Sequence, residues 1–283
     1  MNCFKRVCRI ARTGLLIVAA LAVPAAPLFA EAAAPAGEVS VGVLNQYIWR
    51  GYESSRHSVV IQPSVTVGYR GLSANLWGNL DTNPYAQPGD DSHAANWNET
   101  DLTLSYARTL DRFTLGGGYV YCGLAAVNED AADRKDSQEL FATVSLNVPL
   151  TPTLTVYWEF AHYRNWYFLL GVSHVFELGK AVSLKLSAAA SYLLSTDADT
   201  YPKYDGDGVA TDDKFRNFHD GTVSASLPVK VTDRITLTPA LSYIFPLTRD
   251  ARDEMRGLGL KGGPPADRDG DFWVGGITAS FSF

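Results

Sequence analysis

Five histidines, three cysteines and thirty carboxylates are the side chains here with the most obvious capacity for chemistry, and their spacing decides which kind. A hydroxyl activated by an imidazole on a strand needs the two residues at i and i+2, because alternate side chains share a face. The residues two beyond the histidines are Val59, Ala95, Arg164, Phe176 and Gly221, and none is a serine. Asp91-Ser92-His93, with Asp90 beside it, has the composition of a water-activating couple. It sits in a stretch rich in Pro, Gly and Asp, which predicts a solvated loop rather than a stiff scaffold. Asp205-Gly206-Asp207-Gly208 with Asp212 and Asp213, and Asp267-Arg268-Asp269-Gly270-Asp271, offer hard oxygens of the kind calcium takes. Neither has the glycine and distal glutamate of a calcium-binding hand, so both are expected to be hydrated acidic loops. No catalytic set, metal or cofactor is expected.

A second group of residues is defined by alternation. Gln62, Asn75, Trp77, Asn79, Asp101, Arg112, Glu139, Tyr157, Glu159 and Lys185 fall between or beside apolar neighbours that recur every second position. The clearest case is the end of the chain. Trp273, Gly275, Ile277, Ala279, Phe281 and Phe283 share one face, and Phe272, Val274, Gly276, Thr278, Ser280 and Ser282 share the other. A period of two is the signature of a strand. Similar segments begin at Val39, Val59, Leu72, Leu102, Phe113, Leu140, Leu154, Trp166, Val182, Val223 and Ile235, giving about twelve strands with the last. The first is expected to run from Val39 to Trp49. The links alternate in length. Those at 70–71, 109–112, 149–153, 179–181 and 231–234 are short, while on the other side four of six are long, 81–98, 123–137, 195–217 and 247–270, the exceptions being 50–58 and the brief 163–165.

The first residues read as a leader. Lys5, Arg6, Arg9 and Arg12 precede the apolar run Gly14 to Val23 and then small residues, the pattern of a secretory signal peptide. We expect residues 1–32 to be the signal, with cleavage between about 30 and 34, and 33–283 to be the folded domain. Loss of four basic residues would leave a chain more acidic than the net −6 of the whole, which excludes a basic stripe for nucleic acid. Cys122 would then be the one cysteine left, with no internal disulfide. Beyond the leader no apolar run is long enough to span a membrane as a helix.

Even-numbered alternating strands with links sorted by length predict an all-β fold: a transmembrane antiparallel up-and-down β-barrel, with short periplasmic turns and long outer loops. Lipid offers the backbone no hydrogen-bond partners, so only a closed ring serves. Most of the acidic residues fall in the long gaps. Tyr47, Trp49, Tyr121, Trp166, Tyr192, Tyr243 and Trp273 are placed at the outer ends of the lipid face, and Tyr69, Tyr106, Phe113, Phe176, Phe281 and Phe283 at the inner ends, as two aromatic girdles. Pro63 and Pro239 each forfeit a ladder hydrogen bond and are expected to mark bulges.

The stretch Tyr47-Ile48-Trp49-Arg50-Gly51, followed by Gln62-Pro63-Ser64 and Ala74-Asn75-Leu76-Trp77-Gly78, resembles an uncharacterised proteobacterial family of outer-membrane β-barrel proteins. The chain is also similar in size and strand number to twelve-stranded outer-membrane channels. These resemblances imply an outer-membrane location with both termini periplasmic. The expected function is a narrow channel for passive diffusion of small hydrophilic solutes, touched in the lumen by the ten residues named above. The alternative is a closed structural or surface-binding barrel that works through its acidic loops. An outer-membrane lipid hydrolase or an omptin-like protease is disfavoured by the missing His-x-Ser pair and the loop position of Asp91-Ser92-His93. Expected partners are outer-membrane lipid and lipopolysaccharide, and the barrel assembly machinery through the strand ending in Phe283.

Overall fold

The computed structural model describes residues 35–84, 94–126, 134–258 and 269–283. The expected leader, Asp90, the Asp91-Ser92-His93 trio, and Asp267 with Arg268 lie outside them. The strands are β1 (Ala36–Leu44), β2 (Ile48–Trp49), β3 (Tyr52–Glu53), β4 (Val60–Tyr69), β5 (Leu72–Asp81), β6 (Asn96–Leu110), β7 (Phe113–Leu124), β8 (Ser137–Leu146) and β9 (Thr153–Glu159). They continue with β10 (Asn165–Glu177), β11 (Ser183–Ser195), β12 (Pro202–Tyr204), β13 (Ala210–Lys214), β14 (Arg216–Ser226), β15 (Val229–Lys230) and β16 (Ile235–Pro246). A helix, α1 (Arg249–Leu258), precedes β17 (Phe272–Ser282).

Twelve of these strands form one closed antiparallel ring. Each pairs with the next in sequence, and β17 returns to β1 with Glu38 opposite Ser282 and Leu44 opposite Gly276. Gly37 and Phe283 exchange backbone hydrogen bonds at 3.0 and 2.9 Å, so the chain ends complete the seam. Gly37 and Phe283 therefore lie at the rim that carries the short turns.

The apolar half of the alternation faces out. Val41 remains 41% exposed, Leu241 49% and Trp273 57%, in a belt of Val, Leu and aromatic side chains around the whole ring. A surface of this extent is a lipid-facing belt, since soluble monomers keep apolar patches to a few hundred Å². Among the described residues no helix is long and apolar enough to cross a membrane. At the short-turn rim Tyr69, Tyr106, Phe113, Phe176, Phe281 and Phe283 are all exposed on this face. At the other rim Trp158 and Trp166 stack at 5.6 Å, and Tyr243 packs on Trp273 at 4.8 Å.

Three sequence expectations are corrected. The first strand stops at Leu44 rather than Trp49, and Tyr47 turns away from the lipid face to become buried. Pro63 and Pro239 do not make bulges. The β4–β5 register holds across Pro63, with Ile61 opposite Leu80 and Ser64 opposite Trp77, and the β16–β17 register holds through Pro239 opposite Ile277. The bulges fall elsewhere, in β6 between the Asn79 and Leu80 partners and in β14 between the Ala190 and Tyr192 partners. Within β7, Gly118 makes room for the Phe141 ring, whose Cε1 lies 2.8 Å from where a Cβ would sit.

Candidate functional site

The interior changes character along the barrel. Toward the short-turn rim it is lined by small hydroxyl residues that bond in cross-strand pairs: Thr143 with Thr155 at 3.1 Å, Ser145 with Thr153 at 2.8 Å, Ser224 with Ser242 at 2.7 Å. Ser73, Ser105, Ser173 and Ser187 on the same inward face are half-buried. In a closed ring that residual exposure is exposure to the lumen. Lys185 shares this region and is half-buried.

Toward the long-loop rim the chain itself enters the ring. After Leu44 the segment folds inward as the hairpin β2–β3, whose two turn residues are Arg50 (φ 50°) and Gly51 (φ 83°). Two successive left-handed residues make a type I′ turn, which suits glycine at the second position. Gly51 is also crowded, because an added Cβ would lie 3.0 Å from the Met255 Cε and 3.2 Å from Asp220. The turn projects Arg50 across the lumen, where its Nη1 and Nη2 each donate to Glu139 at 2.7 Å. The guanidinium also lies over the rings of Trp49, Tyr157 and Tyr167 at 4.5, 4.4 and 4.5 Å. Burial alone would lower the Arg50 pKa, but the paired carboxylate of Glu139 outweighs it and holds the pKa above its usual value. A planar guanidinium suits such a site because it bonds a carboxylate at its edge while stacking on rings with its faces.

Helix α1 is the second inward element. Thr248 caps it, its Oγ1 accepting from Ala251 N at 3.1 Å, and Asp250 favours the positive end of the dipole. Its buried residues include Ala251, Glu254 and Met255, the spacing of one helical face. Met255 joins Leu44, Tyr47, Ile48, Val60, Ile244, Phe272 and Val274 in one apolar cluster. Ala251 joins a second with Phe141, Tyr157, Tyr167, Leu169, Leu193, Tyr201 and Phe215. The long-loop half thus has a packed core.

A charged network ties helix, hairpin and wall together. Glu254 accepts from Tyr52 OH at 2.7 Å and pairs with His219 Nε2 at 2.8 Å. His219 Nδ1 lies 3.0 Å from Asp220 Oδ1, which also accepts from Tyr167 OH at 2.8 Å and Ser191 Oγ at 2.6 Å. Both ring nitrogens of His219 face carboxylates, so the imidazole is held as a double donor. Burial, then the Glu254 charge, push the Tyr52 hydroxyl pKa well above its usual value, so it stays protonated and donating.

The two bulges explain how consecutive polar residues reach the lumen. An extra residue in a strand breaks the alternation and re-aims a side chain. In β14 the bulge lets His219 and Asp220 both point inward; in β6 it does the same for Asn98 and Glu99.

The sequence-derived lumen residues distribute as follows. Gln62, Asn79 and Asn98 form a buried amide chain, with Gln62 Nε2 donating to Asn79 at 3.0 Å and Asn79 Nδ2 to Asn98 at 2.8 Å. Asn75 donates to Ser64 and Thr66, both at 2.8 Å. Trp77 packs on Tyr47 at 5.6 Å. Glu139 and Tyr157 hold Arg50. Glu159 is structural: it accepts from the backbone amides of Ala161, His162 and Arg164 and so shapes the link to β10. Asp101 faces Glu99 and Cys122. Arg112 is a correction. It lies in the tight β6–β7 turn beside Asp111 (φ 52°) and is exposed, because β6 ends at Leu110.

Sequence reasoning missed Arg50, Tyr52, His219, Asp220 and Glu254. The signals were present. A loop containing Tyr47, Ile48, Trp49 and Tyr52 is too apolar to be merely solvated, and Ala251, Met255 and Leu258 have helical spacing. Asp205, by contrast, accepts from the amides of Asp207 and Val209 at 3.0 and 2.9 Å and simply shapes the β12–β13 turn.

Among solved structures the chain is similar to the NanC porin, with a TM-score of 0.50 and 13% identity over 87% of this chain and 98% of that one. The fold is that of an outer-membrane β-barrel. An outer membrane channel from Pseudomonas putida F1 matches at a TM-score of 0.47 and 11% identity, over 88% of this chain and 95% of that one. No protein-family pattern and no curated protein sequence matches the chain.

Proposed function

We propose that this chain is an outer-membrane channel of low conductance for small hydrophilic solutes, narrowed in its outer half by its own first and last loops. The observation that carries the reading is the junction of two unlike halves. A hydroxyl-lined lumen leads to a hairpin and a helix held by hydrogen bonds and ion pairs rather than by apolar contact alone. A filler selected only for stability is better served by apolar packing, since buried ion pairs often add nothing over hydrophobic replacements. Charged contacts that can be exchanged for water suit segments that shift. The NanC likeness supports the barrel, and a channel role is the use such a barrel most directly offers.

In this reading the short turns and both termini face the periplasm, and the acidic long loops face outward toward lipopolysaccharide. The Phe283 strand is the surface offered to the assembly machinery, and the resemblance at Tyr47–Gly51 to an uncharacterised proteobacterial barrel family marks the constricting hairpin. The reading is not catalytic. His219, the buried histidine, has a carboxylate at each ring nitrogen, which leaves no nitrogen to take a proton from a serine.

A closed barrel acting through its loops is the second reading, favoured by the two apolar clusters around the hairpin and helix. Planar-bilayer recording of purified protein separates them. The channel reading expects small, discrete current steps from the parent protein and larger ones after deletion of residues 48–53. Silence from both proteins, each folded by heat-modifiable gel mobility, ends the channel reading.

A further inference from the structure

Beyond the Arg50–Glu139 pair and the His219 network, the lumen wall holds a group of side chains that none of the preceding contacts uses. Glu99 and Asp101 lie two apart on β6 and face inward together, and Asp101 is directly opposite Cys122 on β7. One ligand atom from each of Glu99, Asp101 and Cys122 falls within 4.8 Å of the others. Glu99 and Cys122 are each only 5% exposed. Their two-residue spacing gives this by ordinary alternation, and the β6 bulge adds Asn98 to the same inward face.

Charge balance at this group is incomplete. Glu99 accepts one hydrogen bond, from Tyr47 OH at 3.3 Å. Asp101 Oδ1 is a buried atom without a hydrogen-bond partner, while the Cys122 thiol bonds the same carboxylate. Carboxylate oxygens out of water are costly to leave without a donor or a cation. Of the cations close by, Arg50 is paired with Glu139, and Arg134, whose charge lies near Glu99, donates to the carbonyls of Ala125 and Asn98 at 3.1 Å each rather than to either acid. Two acids and a thiol converging on one point, with a bare oxygen among them, make a ligand set lacking its centre.

We propose that Glu99, Asp101 and Cys122 bind a thiophilic divalent cation of the zinc class. A thiolate is a soft ligand that calcium and magnesium avoid, whereas zinc accepts a mixed sulfur and carboxylate set in tetrahedral geometry. The fourth position falls to water or to the Tyr47 hydroxyl already beside Glu99. On binding, the Cys122 thiol gives its proton to solvent as the sulfur–metal bond forms. Access is short, since Glu99 also borders a cleft of about 630 Å³ at the long-loop rim, shared with Trp97, Arg134 and Asp136. The proposal stands apart from conduction, and its test reads no current.

Protein purified from membranes in detergent and stripped with chelator is titrated with cobalt(II), a spectroscopic substitute for zinc. One equivalent should bind with the near-ultraviolet absorption of a thiolate–cobalt bond, and added zinc should abolish that absorption. Cys122→Ser should lose the absorption, and Asp101→Asn should weaken binding by at least about tenfold. Asp136→Asn, which changes an acid across the cleft, should leave binding unchanged. Should Cys122→Ser not fold, the parent titration and Asp101→Asn decide the matter. Absence of the thiolate band in the parent protein, its persistence in Cys122→Ser, or equal weakening by Asp136→Asn overturns the proposal.

Discussion

Replacing Arg50 by methionine should release the inward hairpin. The side chain keeps much of its volume over Tyr157 and Tyr167 but loses both hydrogen bonds to Glu139, each 2.7 Å long. Removing one member of a buried ion pair costs about 3–5 kcal/mol, most of it from the carboxylate left without a partner. At about 1.4 kcal/mol per factor of ten, the population with the hairpin displaced should rise on the order of a hundred- to a thousand-fold or more. Two readouts follow it. In bilayers the open probability of Arg50→Met should exceed that of the parent, and in detergent trypsin should cut faster after Arg56, within the same loop. The double variant Arg50→Met/Glu139→Gln removes the stranded charge and should recover part of the closed population, as coupled sites do in a double-mutant cycle. Parent-like open probability together with parent-like cleavage at Arg56, in a variant that remains a folded barrel, would refute the reasoning that Arg50 holds the hairpin inward.

Other expectations follow from the same contacts. Tyr167→Phe deletes the hydroxyl that donates to Asp220 and should lower stability by about 1.5–3 kcal/mol, read by urea unfolding in detergent or lipid. Leu104→Arg puts a charge on the lipid belt and should destabilise the inserted barrel by up to about 2–4 kcal/mol, measured by folding into vesicles. A lumen change such as Ser105→Asn, on the neighbouring inward position, should change this little. Deleting Phe283 removes its reciprocal backbone bonds with Gly37 and should reduce the heat-modifiable, closed fraction recovered from membranes; an undiminished fraction would show that the seam closes without it.

The ring was legible in the sequence because two-residue alternation is imposed by lipid on one side and lumen on the other. Leu102, Leu104 and Tyr106 fall outward as the pattern requires, and the short links at 70–71 and 111–112 lie where the alternation resets. The interior of the long-loop half was not legible for two physical reasons. A bulge adds one residue without any composition that announces it, so Asn98-Glu99 and His219-Asp220 read as breaks in the pattern rather than as paired inward groups. An inward loop is built from the same polar and aromatic residues as a solvated one, so Arg50 reads as a loop charge. Its partners Glu139 and Tyr157 were found as inward residues, but nothing in the sequence links positions 89 apart.

The Arg50 contact also constrains the order of assembly. Arg50 leaves the chain just after β1, yet apart from the adjacent Trp49 everything it grips belongs to β8, β9 and β10, on the far side of the ring. The hairpin therefore has no seat until the opposite wall of β8, β9 and β10 exists. Once docked, it spans the ring like a spoke in a wheel, resisting the flattening that lateral pressure from the bilayer would impose on a hollow tube.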